Sequence, residues 1–419
     1  MQNKRIAIIG AGVSGMTVAH FLIGNNKVDV YEQENRPGGL IKCDRVEDCL
    51  FHTCGGHVFN SKYKEVLDWF WKFFNKDDEF VKADRNSMVF MKNGQEIPYP
   101  IENHAYLFDE DMKRDFIRDL VALSRNEDKV HPQNFEEFLQ CRFGHTLYRQ
   151  YFQPYNKKIW RRDLSCVPLT WLEGKLPMPT VEEMIYNNIN HVKEKQFVHS
   201  SFWYEKYGGS QFLADRLASG LNIRYGKCID ELCYMGNYWM VDGQEYDNVV
   251  FCGNLKEMVK AIRGVDISGF HLPVEALEYH GTTSVFCEIA QNPYSWIYLP
   301  SDEYQAHRII CTGNFSPTNN SNGMMTGTVE FTDYVDTETI KENLDKMPLN
   351  PRYITHQYNK YTYPIQDAST KEMIQKLKRV LSDMGFYFTG RFADWEYYNM
   401  DVAMKAAMDT CEMMKGKNQ

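Results

Sequence analysis

The stretch that decides the fold is RIAIIGAGVSGMTVAHFL, residues 5–22, and VDVYEQ follows it at residues 28–33. The apolar run 5–9 is typical of a buried parallel strand, and the apolar stretch that follows the glycine turn GAGVSG is typical of a helix. The second apolar run predicts the next strand. Strand, glycine turn, helix and strand within about thirty residues predict the first unit of a dinucleotide-binding fold.

Each glycine of the turn is expected to have a separate role. Gly10 permits the tight turn, Gly12 lets a pyrophosphate approach the backbone, and Gly15 lets the helix and the strand pack closely. The pyrophosphate is expected at the start of the helix, at Val13 and Ser14. Free N–H groups and the helix dipole favour an anion at that position.

The end of the second strand and the glycine pair after it favour FAD over NAD. Glu32 ends the strand, and a carboxylate there can accept both ribose hydroxyls of an adenosine. The glycine pair resembles the flavoprotein pattern in which the chain folds back over the FAD phosphates. No second GxGxxG follows, so a tandem NAD(P)H domain is not expected. The FAD contacts predicted in this segment are Glu32, Gln33, Arg36, Gly38, Gly39 and Leu40.

The rest of the chain predicts an α/β protein with an interrupted first domain. Helical patterns follow residue 61, alternating strands follow residue 266, and an apolar strand with a last helix ends the chain. We expect a Rossmann-like FAD-binding domain with a helical insert and an antiparallel β-sheet substrate domain. The expected parts are residues 1–61, 196–265 and 366–419 for the FAD-binding domain, 62–195 for the insert and 266–365 for the substrate sheet.

Composition excludes several other classes of protein. The net charge is −9, from 47 basic and 56 acidic residues, which argues against nucleic acid or an anionic membrane as the main partner. The 11 cysteines include no C-x-x-C pair, so we expect no metal site and free thiols in a reducing cytoplasm. The apolar residues 5–24 contain a glycine turn, so no membrane span is predicted.

Several later motifs occur in an order that resembles the UDP-galactopyranose mutase family, especially its eukaryotic-type branch. This family lies within the superfamily of FAD-dependent amine oxidases and protoporphyrinogen oxidases. With the glycine turn, the motifs cover nearly the whole chain. They are GGHVF (55–59), IPYP (97–100), PYNKKIW (154–160), FWYEKYGG (202–209), WIYLP (296–300), Arg308, Tyr363-Pro364 and GRF (390–392).

The resemblance implies an isomerase that interconverts the pyranose and furanose forms of a nucleotide sugar such as UDP-galactose, as in the supply of galactofuranose for polysaccharide biosynthesis. That reaction is redox-neutral but needs reduced FAD, because flavin N5 attacks the anomeric carbon and expels the nucleotide diphosphate. An external reductant such as NAD(P)H is therefore implied. The resemblance leaves open whether the chain forms a homodimer.

The resemblance also assigns roles to individual residues. His57 is implied as a catalytic residue that shapes flavin N5 by its position, and Arg308 as one that neutralises the diphosphate. Arg391 is expected near the flavin pyrophosphate or the sugar. The implied substrate-binding residues are Asn156, Trp160, Lys175, Tyr298, Arg308, Tyr363, Arg391, Tyr397 and Tyr398, and the implied C-terminal cofactor contacts are Gly390, Arg391, Asn399 and Met400.

Two departures leave the substrate open. Lys175 stands where the family usually has a second phosphate-binding arginine, and lysine keeps the charge but loses the bidentate fork. Phe315 stands where the eukaryotic-type pattern has a tyrosine. Two alternatives to the mutase therefore remain. One is an FAD-dependent oxidoreductase of the amine oxidase or protoporphyrinogen oxidase type, and the other is a non-catalytic flavoprotein that binds a nucleotide sugar.

Overall fold

The structure is a computed structural model, which describes residues 2–125, 131–169, 179–192, 201–321 and 323–416. Its strands are, in chain order, β1 (Arg5–Ile9), β2 (Lys27–Tyr31), β3 (Cys43–Val46), β4 (Cys49–His52), β5 (Phe80–Asp84), β6 (Ser87–Phe90), β7 (Glu96–Pro98), β8 (Ser201–Glu205), β9 (Ile223–Arg224), β10 (Leu232–Tyr234), β11 (Trp239–Val241), β12 (Gln244–Tyr246), β13 (Asn248–Phe251), β14 (Ile262–Arg263), β15 (Glu278–Ile289), β16 (Trp296–Tyr298), β17 (Arg308–Ile310), β18 (Met325–Thr332), β19 (Arg352–Ile365) and β20 (Phe386–Phe388).

The α-helices lie between these strands and after the last one. They are α1 (Val13–Leu22), α2 (Lys64–Phe70), α3 (Lys76–Glu79), α4 (Glu110–Ser124), α5 (Phe135–Leu147), α6 (Gln153–Trp160), α7 (Val181–Ile189), α8 (Gly209–Ala218), α9 (Leu255–Ala261), α10 (Ser268–Glu275), α11 (Thr337–Leu344), α12 (Thr370–Ser382) and α13 (Met400–Gly416).

A five-stranded parallel sheet, in the order β20-β13-β1-β2-β9, forms the predicted Rossmann-like part. β1 is buried on both faces, which explains its unbroken apolar sequence. Ile6 and Ile8 pack with residues of α1 and α13, whereas Ala7 and Ile9 pack in a second core cluster that includes residues of α9 and α12. The sheet therefore joins the first and the last segments of the chain, as predicted.

A seven-stranded sheet, in the order β19-β15-β18-β17-β16-β6-β7, corresponds to the predicted substrate sheet. Two of its features go beyond what the sequence predicts. β6 and β7 come from the predicted helical insert, and β16 pairs with β6 in parallel rather than antiparallel. β6 has only 4 residues and β7 only 3. Segments that short show too little alternation to stand out among helices.

The helical part of the insert packs against this sheet. A π-helix at Tyr148–Phe152 joins α5 to α6, and residues of both helices share a core cluster with Trp296, Tyr298 and Ile310 of the sheet. Helix α5 begins with a side-chain cap, because the Asn134 side chain accepts a hydrogen bond from the Glu137 amide. The insert also contains β5, which pairs with β8 outside it, and the division into three parts stays a prediction. Within the described ranges, none of the helices combines the length and the apolar character that a membrane crossing needs.

Candidate active site

The first glycine turn folds as its spacing predicts. Gly10 follows β1 with φ +105°, a value that glycine adopts readily and other residues rarely do. A Cβ atom on Gly15 would lie 1.9 Å from the Gly10 carbonyl oxygen, so α1 can pack on the turn only without a side chain there. Gly12 is the N-cap of α1, and no side chain in the described ranges caps this helix start. The first amides of the helix, with Val13 and Ser14 in its first turn, are therefore suited to an anion.

The second glycine pair lies directly against the first turn. An isolated parallel bridge joins Gly12 to Gly38, and the Gly38 amide donates to the Ala11 carbonyl at 2.9 Å. A Cβ atom on Gly39 would be 3.4 Å from the Gly12 Cα atom, and Gly39 itself has φ +56°. The chain thus folds back across the turn at backbone contact. We call the two glycine turns, residues 10–15 and 38–39, the glycine cradle. The glycine cradle fits a group that needs close backbone approach, as the FAD pyrophosphate does.

The carboxylate at the end of β2 is held by backbone amides. Glu32 is buried, its Oε2 atom accepts from the Ala11 amide at 2.7 Å, and its Oε1 atom accepts from the Glu34 amide at 3.0 Å. A carboxylate has about four acceptor sites, so capacity for ribose hydroxyls remains. Gln33, the next residue, is exposed. Ribose binding by Glu32 stays a prediction, which this orientation beside the glycine turn supports.

The residues around the glycine pair make contacts with β3 and with the His57 loop. Arg36 pairs with Asp44 at 2.6 Å and donates to the Cys43 carbonyl at 3.1 Å. The Leu40 carbonyl lies 2.9 Å from Nε2 of His57. Arg36 therefore has its guanidinium engaged by the protein, and Leu40 takes part through its backbone.

His57 is held as a neutral imidazole. Burial, and then the positive charge of Arg391, lower the pKa of His57 to about 4. A carbonyl can only accept, so the contact with Leu40 assigns the proton to Nε2 and leaves Nδ1 as an acceptor. This state agrees with the expectation that His57 acts by its position rather than by proton transfer, which stays a prediction.

The loop that carries His57 packs on the strand that carries Arg308. A Cβ atom on Gly56 would lie 2.7 Å from the side chain of Ile310 in β17. On the other side of the loop, the Asn359 amide group of β19 donates to the Thr53 carbonyl at 2.6 Å. The loop next to the predicted flavin position is therefore fixed to the larger sheet from two strands.

Strand register aligns three polar residues across the larger sheet. Tyr298 of β16 is paired with Arg308 of β17, and Arg308 is paired with Glu330 of β18. Arg308 forms an ion pair with Glu330, and their side chains are 21% and 1% exposed. Burial favours the neutral Glu330 carboxyl, but the Arg308 guanidinium and the neighbouring His307 together outweigh burial and hold the Glu330 pKa at about 2. Arg308 is thus an anchored cation with part of its surface accessible.

Two tyrosines extend this row towards Arg391. The Arg308 guanidinium donates to the Tyr363 hydroxyl at 3.3 Å. The rings of Tyr363 and Tyr397 are stacked, with centroids 5.2 Å apart and planes 4° apart, and the Arg391 guanidinium lies 4.5 Å from the Tyr397 ring centroid. These tyrosines join both arginines in one cluster. Tyr298, Arg308, Glu330, Tyr363 and Tyr397 form what we call the arginine–tyrosine wall.

The C-terminal strand brings this wall to the glycine cradle. Gly390 follows β20 with φ +121°, and a Cβ atom on it would lie 3.1 Å from Oγ of Ser14. The next residue, Arg391, donates from Nε to the Tyr398 carbonyl at 3.0 Å and from Nη1 to the Thr362 carbonyl at 3.3 Å. Arg391 therefore links the end of the parallel sheet to β19, next to Tyr363.

Three predicted residues lie at or next to the start of α13, and two of them, Tyr398 and Met400, pack with the parallel sheet. Tyr398 packs against the core cluster of the parallel sheet, and burial and the neighbouring Asp394 raise the pKa of its hydroxyl. Met400 is buried in the same cluster, and the Asn399 carbonyl accepts from the Ala403 amide at 2.9 Å. A diphosphate contact by Tyr398 is therefore not supported by this placement. Asn399 and Met400 could reach a cofactor through their backbone.

Helix α6 places two more predicted residues beside the sheet. The Asn156 side-chain amide donates to the Phe152 carbonyl at 2.8 Å, and its oxygen keeps its acceptor capacity. Trp160 is buried, with its ring centroid 6.5 Å from that of Phe135. Trp160 therefore belongs to the helical core as well as to the predicted site. Lys175 lies outside the described residues, so its role stays a prediction.

The structure adds two site residues that the sequence analysis did not single out. Glu330 anchors Arg308, and its only signal in the sequence is a carboxylate within the otherwise uncharged strand MTGTVEFT. Arg85 donates to the Tyr298 hydroxyl at 2.7 Å, and its guanidinium lies 5.3 Å from the Trp296 ring centroid and 5.5 Å from that of Tyr99. No motif marks Arg85 in the sequence.

With this geometry in place, comparison with known proteins identifies similar chains. A family model described as an NAD(P)-binding Rossmann-like domain matches residues 8–74. A probable UDP-galactopyranose mutase of Klebsiella pneumoniae is 24% identical over 98% of this chain and 95% of its own length. A dTDP-fucopyranose mutase of Escherichia coli is also 24% identical, over 99% of this chain and 100% of its own.

The chain resembles the UDP-galactopyranose mutases along its whole length. A crystal structure of reduced UDP-galactopyranose mutase superposes with a TM-score of 0.87 at 20% identity, and it covers 100% of this chain and 95% of that one. The predicted resemblance and the predicted α/β fold class are thereby confirmed. The eukaryotic-type branch stays a prediction.

Proposed function

We propose that this protein is a flavin-dependent mutase that interconverts the pyranose and furanose forms of a nucleotide sugar. The observation that carries the proposal is the position of Arg308, a partly accessible cation that is anchored by Glu330 and backed by Tyr363. It lies two residues along β17 from Ile310, against which the His57 loop packs. The wall that we propose for the diphosphate thus adjoins a cradle that suits FAD.

The residues of the wall would hold the diphosphate before and after it leaves the sugar. Arg308 would neutralise it by charge-assisted hydrogen bonds. Tyr363, whose oxygen accepts from Arg308, still has its hydroxyl proton to donate to a phosphate oxygen. Retention of the diphosphate matters, because the same group must return to the anomeric carbon after the ring has changed size.

FAD would be held by the two glycine turns, Glu32 and the start of α1. When bound and reduced, it would supply a nucleophilic N5 for the anomeric carbon in a redox-neutral exchange. His57, neutral above a pKa of about 4, would keep a fixed orientation through the Leu40 carbonyl and bring no charge to the flavin.

The substrate we propose is a UDP-galactose-like nucleotide hexose. Its support is the names of the relatives, which specify UDP-galactopyranose and dTDP-fucopyranose. Both ligands present a diphosphate to a hexose ring, and the wall is suited to that shared part. A reductant such as NAD(P)H, a homodimer and a cytoplasmic location belong to this proposal as further expectations.

The test is an anaerobic assay of dithionite-reduced, FAD-loaded protein with UDP-galactofuranose, UDP-galactopyranose and dTDP-fucopyranose. We expect ring-size exchange with at least one of them, no net flavin oxidation and little activity of the oxidised protein. In a parallel aerobic assay of the oxidised, FAD-loaded protein, peroxide formation with a consumed substrate would instead identify an oxidoreductase. Tight nucleotide binding without turnover of any sugar would identify a non-catalytic binding protein.

A further inference from the structure

One lysine of α6 is half-buried, and its amino group is directed at a loop of the larger sheet. The Lys158 Nζ atom donates to three carbonyls, those of Leu299 at 2.7 Å, Ser301 at 2.5 Å and Ala306 at 3.0 Å. It also lies 4.8 Å from the centroid of the Tyr304 ring. Burial lowers the pKa of Lys158 to about 7. The three acceptors favour the ammonium form, because only that form has three N–H donors.

The two segments that Lys158 joins carry different parts of the candidate site. Its own helix carries Asn156 and Trp160. The loop at residues 299–307 connects Tyr298 at the end of β16 with Arg308 at the start of β17, and the loop closes on itself through the Leu299 amide and the His307 carbonyl at 2.9 Å. Lys158 therefore links the helix to the loop that leads into Arg308.

Helix α6 has separate anchors in the residues that follow Lys158 at its C-terminal end. The Trp160 carbonyl lies 2.9 Å from Nε2 of His280 in β15, and Arg161 donates to the Thr332 carbonyl of β18 at 2.7 Å. These contacts hold the end of the helix without the loop. Loss of the Lys158 ammonium should therefore release the loop from the helix and leave the helix attached to the sheet.

We propose that Lys158 is a positioning residue that sets the distance between α6 and Arg308, and so between the sugar and diphosphate parts of the site. The proposal rests on the proposed function for the identity of those two parts. Lys158 itself does not contact the substrate. Its three N–H donors determine where the loop begins and ends, and a small displacement of that loop would move Arg308.

Kinetics of four proteins test this role: the parent, Lys158→Met, Arg308→Ala and the double variant. We expect Lys158→Met to lower kcat/KM by about 10- to 100-fold, the loss typical of a misplaced binding group. In the Arg308→Ala background, Lys158→Met should lower kcat/KM by less than about threefold, because the two residues act as a unit. Lys157→Met is the control, since Lys157 is exposed on the same helix. Equal losses in both backgrounds would show a purely structural role and overturn the proposal.

Hydrogen exchange separates this proposal from the proposed function. In Lys158→Met, and in Lys158→Arg if the first variant does not fold, amides of residues 299–310 should exchange faster, while those of the control match the parent. If the parent turns over no nucleotide sugar but the loop loosens and UDP binds more weakly by calorimetry, the proposed function fails and the positioning role stands. Unchanged protection of the loop overturns the positioning role whatever the activity.

Discussion

The glycine cradle and the arginine–tyrosine wall differ in how the chain assembles them. The first turn of the cradle is formed by residues 10–15, and backbone conformation and the absence of side chains shape it. The wall draws on β16, β17, β18, β19 and the loop after β20, and side-chain pairs across neighbouring strands hold it together. The cradle therefore depends on the absence of Cβ atoms at a few positions. The wall depends on the pairing of opposite charges.

The largest expected effect is on the cradle. Gly15→Ala should remove most bound FAD and lower Tm, because its Cβ would lie 1.9 Å from the Gly10 carbonyl oxygen and the helix start must move. Gly24→Ala is the matched control, since a Cβ at Gly24 has no atom within 4 Å. The flavin-to-protein absorbance ratio after reconstitution measures the effect. Normal FAD content in Gly15→Ala would mean that close packing is not required there.

The next largest effect tests whether the wall serves the substrate independently of FAD binding by the cradle. Arg308→Ala should keep FAD and lose about 30- to 1,000-fold in activity, which corresponds to about 2–4 kcal/mol for a lost charge-assisted phosphate contact. The variant also leaves the buried Glu330 carboxylate unpaired, which should lower Tm. Adding Glu330→Gln should restore Tm but not activity. Loss of flavin from Arg308→Ala would show that the two regions are not independent.

The ion pair itself predicts a dependence of stability on pH. Glu330→Gln leaves the Arg308 charge without its partner and should cost a few kcal/mol at neutral pH. The folded pKa of Glu330, about 2, lies below its ordinary value of 4.5, so the pair contributes fully above pH 4.5 and loses its contribution as pH falls towards 2. The Tm values of parent and variant should therefore converge between pH 4.5 and 2. A constant difference down to pH 2 would contradict the low pKa.

The same contrast explains how much the sequence predicts. β1 begins and ends where the apolar run indicates, and Gly10, Gly12 and Gly15 have the predicted local geometry, because adjacent residues determine both. Only the resemblance to the mutase family singles out Arg308 in the sequence. Its partner Glu330 depends on strand register, which links residues 22 positions apart and leaves no local pattern. Arg85 and Lys158 were missed for the same reason, since their partners lie 213 and up to 148 positions away.

Tyr398 shows the limit of motif transfer. It adjoins Tyr397, which stacks on Tyr363, yet its side chain packs against the core of the parallel sheet beside Asp394. The Tyr398 carbonyl accepts a hydrogen bond from Arg391. Adjacent residues with the same chemistry therefore lie in different environments, and only tertiary contacts separate them.

The smallest expected effect tests whether Tyr363 of the wall, rather than Tyr398, contacts the diphosphate. Tyr363→Phe removes a hydroxyl that lies 3.3 Å from the Arg308 guanidinium and that we expect to donate to a phosphate oxygen. It should weaken UDP binding about 2- to 10-fold, the value of one hydrogen bond. Tyr398→Phe should leave the Kd for UDP within the error of the parent, although Tm can fall because a buried hydroxyl beside Asp394 is lost. Calorimetric titration of both variants with UDP gives the two constants. If UDP bound more weakly to Tyr398→Phe than to Tyr363→Phe, the assignment of the diphosphate to Tyr363 would be wrong. The diphosphate would then lie nearer to α13 than to the wall.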